Sequence, residues 1–237
     1  MMKPMSAVRA DFDRIAHLPD DGWNRNNHYH AFLLKRLPAG GANALEIGCG
    51  TGAFARLLAA RCDHVLALDL SPEMIRIARE RSVQYPNIDF QVGDVMAWEC
   101  PAAHFDCIAS IATLHHLPLE PVLTQMKAAL KPGGVLLVLD LYRVNGWGDL
   151  LVSACALPVD VLLRLARNRR LRQPREARTA WEAHGRDETY LALAQVGEAC
   201  TRVLPGAQVR RHLLWRYSVV WRKPGDTATS DEQSLQG

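Results

Sequence analysis

Three carboxylates stand at or just past the ends of short apolar runs. Glu46 lies in Ala44-Leu45-Glu46-Ile47, Asp69 closes His64-Val65-Leu66-Ala67-Leu68-Asp69, and Asp94 follows Ile88–Val92 in Gly93-Asp94-Val95. If these runs are parallel strands, their C-terminal ends share one sheet edge, and the three acids meet there. Glu46 precedes Gly48-Cys49-Gly50-Thr51-Gly52, a cluster that turns a strand into a helix and lets backbone approach a ligand. Read literally, Gly48-x-Gly50-x-x-Ala53 also satisfies the dinucleotide fingerprint. Glu46 discriminates, because an anion there repels a pyrophosphate and attracts a cationic amino acid moiety. Asp69 is 17 residues past Gly52, where a carboxylate accepts from both ribose hydroxyls. Asp94 is placed to accept from an adenine amino group. Such a pocket suits a sulfonium nucleoside.

A second group of chemically capable residues follows the fourth apolar run, Phe105–Ile111. His115 and His116 lie just beyond it, and histidine titrates near neutrality. One of them can equally pack against or cap the next helix; His115 is the stronger candidate for a catalytic base. Further candidates are Tyr29 between His28 and His30, Tyr142 and Arg143, and Trp181, His184 and Asp187. Each alone reads as readily as an anchor or a loop residue.

The elements that must position these residues follow from periodicity. Phe12 to Pro38 is expected to be helical, and Ala53 to Arg61 as well. Ser71-Pro72-Glu73 is a helix start, and Pro121 to Leu130 is a helix ended by Lys131-Pro132-Gly133-Gly134. Val135 to Leu141 is a nearly all-apolar strand. Strands alternating with helices predict a doubly wound α/β domain over residues 40–143, within a single domain spanning 1–224. Residues 146–186 are expected to be an inserted helical cap, two helices broken at Pro158, and 146–190 a lid over the acceptor pocket. Ala207 to Lys223 is a closing pair of strands, and 225–237 a flexible tail.

Composition sets the outer limits. The chain has 237 residues, 49% hydrophobic and 22% charged, with net charge +3, so it is neither disordered nor strongly basic. Its six cysteines form no C-x-x-C pair and no zinc-finger spacing, which predicts reduced core thiols in a cytoplasmic protein. No metal-ligand set is apparent, so no metal is expected. No secretory signal is visible, and Trp147 to Ala166 is a poor membrane span because Asp149, Pro158, Asp160 and Arg164 interrupt it. Seven arginines (Arg164, Arg167, Arg169, Arg170, Arg172, Arg175 and Arg178) crowd the insertion. Such a run is usually a solvated helix face; the sharper reading is contact with an anionic substrate, RNA or a membrane surface, the amphipathic membrane version ranking below a plain lid.

The stations Leu45-Glu46-Ile47-Gly48-Cys49-Gly50-Thr51-Gly52, Leu68-Asp69-Leu70-Ser71-Pro72-Glu73-Met74, Gly93-Asp94-Val95, Phe105-Asp106-Cys107-Ile108 through His115-His116-Leu117, and Leu130-Lys131-Pro132-Gly133-Gly134 occur in order. Over residues 40–143 the sequence resembles the class I S-adenosylmethionine-dependent methyltransferases, particularly bacterial small-molecule enzymes. The resemblance implies a seven-stranded Rossmann-like sheet with an antiparallel last strand, and S-adenosyl-L-methionine as cofactor. It implies that Glu46 with Gly48, Cys49, Gly50 and Gly52 holds the methionine part, and that Asp69 beside Leu70 holds the ribose. Met74 then packs by the adenine, Asp94 and Val95 read its edge, Ser110 lines the cofactor site, and Tyr29 touches the methionine carboxylate. Tyr142, Arg143, Trp181 and His184 are the expected substrate contacts.

The implied reaction is in-line methyl transfer to O, N or C of a small apolar or aromatic metabolite, by a monomer or homodimer. No nucleic-acid partner is expected. An RNA or protein methyltransferase using the arginine run remains an alternative, although Ser110-Ile111-Ala112-Thr113 is not the [D/N]-P-P-[Y/F] of base-amine methylation. A nicotinamide reductase is weaker still, since no tyrosine carries Lys four residues on. A non-catalytic cofactor-binding protein also stays open.

Overall fold

A computed structural model describes residues 3–19, 22–38, 40, 42–169, 174–186 and 188–225 of the chain. Strands β1 (Asn43–Ile47), β2 (His64–Asp69), β3 (Ile88–Val92), β4 (Phe105–Ile111), β5 (Leu130–Leu141), β6 (Gln208–His212) and β7 (Arg216–Arg222) form one sheet. Its order is β3-β2-β1-β4-β5-β7-β6. The first five strands pair in parallel, and β7 runs antiparallel to both β5 and β6. The strand order therefore reverses between β1 and β4, where an open α/β sheet leaves a crevice for a ligand.

Helices cover both faces, which is why the central strands are apolar throughout. Along β4 and β5, Ile108, Leu136 and Val138 pack on one face with α5 (Leu119–Ala129) and α8 (Leu193–Val203). Cys107, Ala109, Leu137 and Leu139 pack on the other with α3 (Ala53–Ala59) and α2 (His30–Leu34). The alternation is the period of two of a strand buried on both sides. Ser71 caps α4 (Pro72–Arg81): its hydroxyl accepts from the Met74 N–H, and Pro72 opens the first turn.

Three expectations are corrected. The helix over Phe12 to Pro38 is instead α1 (Met5–Ile15), a short 3-10 turn at Asn27–Tyr29, and α2. Asn24 caps the restart of helical turns. Its side-chain oxygen accepts the N–H groups of Asn26 and Asn27, a local alternative to helical bonding. Pro158 does not break the cap. α6 runs from Trp147 to Asn168 through it, and Ala154, whose carbonyl loses its helical partner, is exposed to water. The second cap helix, α7, spans Arg175–Gly185. Finally, α8 lies between the cap and β6 and packs on α5, a helix absent from the sequence reading. The tail from 226 onward, Arg170, Arg172 and Asp187 lie outside the described residues.

Candidate functional site

The turn after β1 is built by backbone that only glycine adopts easily. Gly48 has φ +73, and a Cβ there would fall 2.0 Å from Thr113 Oγ1, so the end of β4 lies directly against this turn. The amides of Gly48 and Cys49 donate to the Leu68 carbonyl, tying the turn to β2. Asp69 tightens the tie: its two oxygens accept the N–H groups of Gly50 (2.8 Å) and Ser71 (2.9 Å). Each oxygen keeps a further lone pair. From above, Asp13 of α1 accepts a hydrogen bond from the Ser71 hydroxyl (2.5 Å), bringing a fourth carboxylate to this edge.

Burial dominates the electrostatics. Glu46 is buried, and its Oε2 has no hydrogen-bond partner. Desolvation, with the nearby charge of Asp69, raises its carboxyl well above the usual range. Desolvation also lifts Asp69 to about 6, against the lowering effect of its two amide donors. The buried Cys49 thiol is raised by desolvation and by the same two acids, so it is a neutral thiol. Two buried, desolvated carboxylates side by side favour a cationic, hydroxyl-bearing partner.

The remaining cofactor candidates are placed as follows. Leu70 lies between Asp69 and the Ser71 cap. Met74 packs with Ile15, Ala16 and Ile77 beneath α1. Gly52 has φ +75 and opens α3. Asp94 Oδ1 accepts its own turn's Met96 N–H (2.9 Å), while Val95 is buried in the core. The Ser110 hydroxyl donates to the Ile47 carbonyl (3.0 Å), joining β4 to β1. Tyr29 is held at the β6–β7 turn, where its hydroxyl accepts the Leu214 N–H (3.2 Å) and its ring packs on His212.

Past β4, His115 and His116 occupy one turn but different environments. His115 Nδ1 lies 2.7 Å from Asp140 Oδ1, and its backbone N–H donates to Asp140 Oδ2 (2.9 Å). Asp140 is fully buried at the C-terminal end of β5. His116 is enclosed by Phe12, His184 and Glu188, and burial with the neighbouring His115 lowers it to about 2. It stays neutral and is a poor proton acceptor.

His184 does not stand free in a pocket. With Asp11, Lys3 and Glu188 it forms a clasp that joins α1 to α7. Its Nδ1 is 3.2 Å from Asp11 Oδ2, Lys3 pairs with Asp11, and His116 Nδ1 is 3.0 Å from Glu188 Oε2. The Trp181 ring packs at steep angles against Phe12 and His184 and is otherwise exposed. Arg143 is exposed and joins the segment before α8 through its backbone N–H to Leu191 (2.9 Å). Tyr142 is buried with its hydroxyl unpartnered.

Four residues escaped the sequence reading. Asp140 was legible as the single charge in the apolar run Val135–Leu141. Tyr190, whose ring centroid is 5.1 Å from that of His115, and Glu188 carried no local signal. Arg216 is buried on β7. Its Nε donates to Asn26 Oδ1 (2.7 Å), and burial lowers its pKa to about 10.

His115, His116 and Glu188 offer ligand atoms within 4.8 Å of one another. A transition ion bonded at about 2.1 Å holds its ligands roughly 3 to 4 Å apart. Lys3 lies 3.9 Å from Glu188 Oε1, and that oxygen and His116 Nε2 are buried without a hydrogen-bond partner.

Fold and site together suit a cationic nucleoside at the edge of a doubly wound sheet. Residues 44–134 match the family described as a methyltransferase domain. An uncharacterized methyltransferase of Mycobacterium tuberculosis is 30% identical over 215 residues, covering 86% of this chain and 99% of the relative. A ubiquinone biosynthesis O-methyltransferase of Xylella fastidiosa is 38% identical over 117 residues, 47% of each chain. Among solved structures, the N-methyltransferase NodS of Bradyrhizobium japonicum, in complex with S-adenosyl-L-homocysteine, superposes with a TM-score of 0.61. It is 21% identical and covers 92% of this chain and 98% of its own. The chain belongs to the class I S-adenosylmethionine-dependent methyltransferases.

Proposed function

We propose that the chain methylates a hydroxyl oxygen of a small aromatic or apolar metabolite, with His115 and Asp140 handling the acceptor's proton. The observation that carries this reading is the His115–Asp140 pair: a buried carboxylate 2.7 Å from one ring nitrogen leaves the other, Nε2, as a proton acceptor. A hydroxyl needs such a base far more than a neutral amine does. The partial likeness to ubiquinone biosynthesis O-methyltransferases supports the same acceptor class.

The residues present fit the cofactor. The unpartnered Glu46 Oε2 is a buried acceptor suited to the ammonium of the methionine part. The spare lone pairs of Asp69 suit the ribose hydroxyls, and the close turn at Gly48 leaves no side chain in the way. When bound, S-adenosylmethionine supplies a methyl group already activated by its positive sulfur. The protein then has to align the acceptor, exclude water and remove one proton. His115 Nε2 would take up the acceptor hydroxyl's proton and Asp140 would stabilise the imidazolium; the bond broken would be the cofactor's S–CH3 bond, with S-adenosylhomocysteine as the leaving group. α7, clasped to α1, and α6, anchored to the Trp23–Arg25 segment and to β6 and its turn, form the lid on the acceptor side.

Incubation with methyl-labelled S-adenosylmethionine and a panel of phenols, catechols, hydroxyquinones and amines tests this reading. An O-methylated product is expected, lost by about 100-fold or more in His115→Ala with cofactor affinity unchanged. Methylation of amines alone, or full activity in His115→Ala, would overturn it.

A further inference from the structure

The long cap helix carries apolar side chains on both its faces. Inward, Ala156 is fully buried and Val159 and Leu163 pack against the core, flanked by a ladder of polar anchors. Asp149 pairs with Arg211 (2.6 Å), the Ser153 hydroxyl accepts from Trp215 Nε1 (3.0 Å), Asp160 pairs with Arg25 (2.8 Å), and the Asn168 amide donates to the Trp23 carbonyl (2.8 Å). These anchors span the helix and fix which side faces out. The outward side is apolar: Trp147, Leu150, Leu151, Leu157, Leu162 and Leu165 are all exposed, Trp147 by 85% and Leu151 by 69%. Their spacing follows the helical repeat, so they form one stripe from Trp147 to Leu165, about 28 Å at 1.5 Å per residue. A continuous exposed apolar stripe of that length marks an interaction surface.

We propose that α6 is a membrane-docking helix that lies in the interface of an anionic lipid surface. Charge selects this occupant. Arg167, Arg169 and Arg175 are exposed where α6 gives way to α7, with Glu176 the one acid between Arg164 and Arg178. A cationic end beside an apolar stripe complements acidic headgroups above acyl chains. Trp147 supplies an amphipathic ring at the other end, suited to headgroup depth. The helix lies on the surface and does not cross it, since none of the described helices is long and apolar enough to span a membrane. Because the anchors of α6 reach the Trp23–Arg25 segment and the β6–β7 turn around Tyr29, docking sets the acceptor side against lipid. An apolar acceptor would then enter from the lipid phase, a consequence that rests on the acceptor class proposed above; the docking itself does not.

Co-sedimentation of the full chain with phosphatidylcholine vesicles, with and without phosphatidylglycerol, tests the proposal without any activity readout. Binding to the anionic vesicles is expected, weakened about tenfold by high salt and by at least as much in Arg167→Gln/Arg169→Gln. Leu151→Ser/Leu162→Ser should also lose binding about tenfold while keeping its thermal midpoint and its affinity for S-adenosylmethionine. Absence of binding to either vesicle, or unchanged binding by the serine variant, would overturn the proposal. So would a dimer that the serine variant dissociates, or a salt-sensitive shift of tRNA in place of vesicle binding.

Discussion

Asp140 holds His115 by both ring and backbone: Oδ1 lies 2.7 Å from Nδ1, and Oδ2 accepts the backbone N–H at 2.9 Å. A third donor, the Leu141 N–H, reaches Oδ1 at 2.7 Å, so this fully buried carboxylate is satisfied entirely by fixed groups. Donation from Nδ1 to the carboxylate would set the tautomer and leave Nε2 unprotonated. The arrangement fixes an orientation before any acceptor arrives, which is what a positioned base requires.

Asp140→Asn keeps the shape and removes the charge. It should lower kcat by about 100-fold or more, because the amide no longer enforces one imidazole tautomer. Affinity for S-adenosylmethionine should stay within about twofold. Ring nitrogen-15 spectra check the cause without an acceptor: His115 should be protonated at Nδ1 in the parent and redistributed in the variant.

Cofactor binding should depend on pH through Asp69. Burial raises its carboxyl to about 6 in the free protein, and the charged form is the one that suits a cationic ligand. The free protein therefore takes up a proton as pH falls through 6, and binding must expel it. Affinity should be flat above about pH 7 and weaken toward tenfold per pH unit below 6. Calorimetry in buffers of different ionisation enthalpy should show proton release near pH 6.

Gly48→Ala and Gly50→Ala separate strain from collision. Both glycines have positive φ, +73 and +51, but only at Gly48 would a Cβ meet Thr113. The first substitution should cost about 3 kcal/mol or more and the second about 1 kcal/mol. Denaturant midpoints for the two variants give the comparison.

Acidification should loosen the fold through buried histidines. Burial lowers His30 and His212 to about 4 and His184 below its ordinary value. A histidine with a depressed folded pKa binds fewer protons native than unfolded, so its contribution is present above about pH 6.5 and lost as pH falls toward the folded value. His30→Leu should lose less stability between pH 7 and pH 5 than the parent, by about 2 kcal/mol. Equal losses would show that His30 is not held neutral.

The strand-end acids and the glycine turn were legible because each is local: a short apolar run, a carboxylate and a turn follow one another in the chain. The relation of His115 to Asp140 was not, since it joins residues 25 apart across two strands. The clasp was further out of reach, because Asp11 and His184 are 173 residues apart and meet only when α1 folds over the sheet edge. Pro158 misled, since a proline inside a helix is tolerated where the orphaned carbonyl faces water. The arginine run and the leucines beside it were visible, but which side of α6 faces outward depended on Asp149, Ser153, Asp160 and Asn168 finding partners elsewhere.

Cofactor and acceptor are proposed to be served by separate groups: the acids of β1 and β2 for one, His115 with Asp140 for the other. Titration of S-adenosylmethionine into the parent, Asp69→Ala and Asp140→Asn by calorimetry tests this separation most directly. The account predicts affinity about 30-fold or more weaker in Asp69→Ala and unchanged in Asp140→Asn. Parent-like affinity in Asp69→Ala, or equal weakening in both variants, would contradict it.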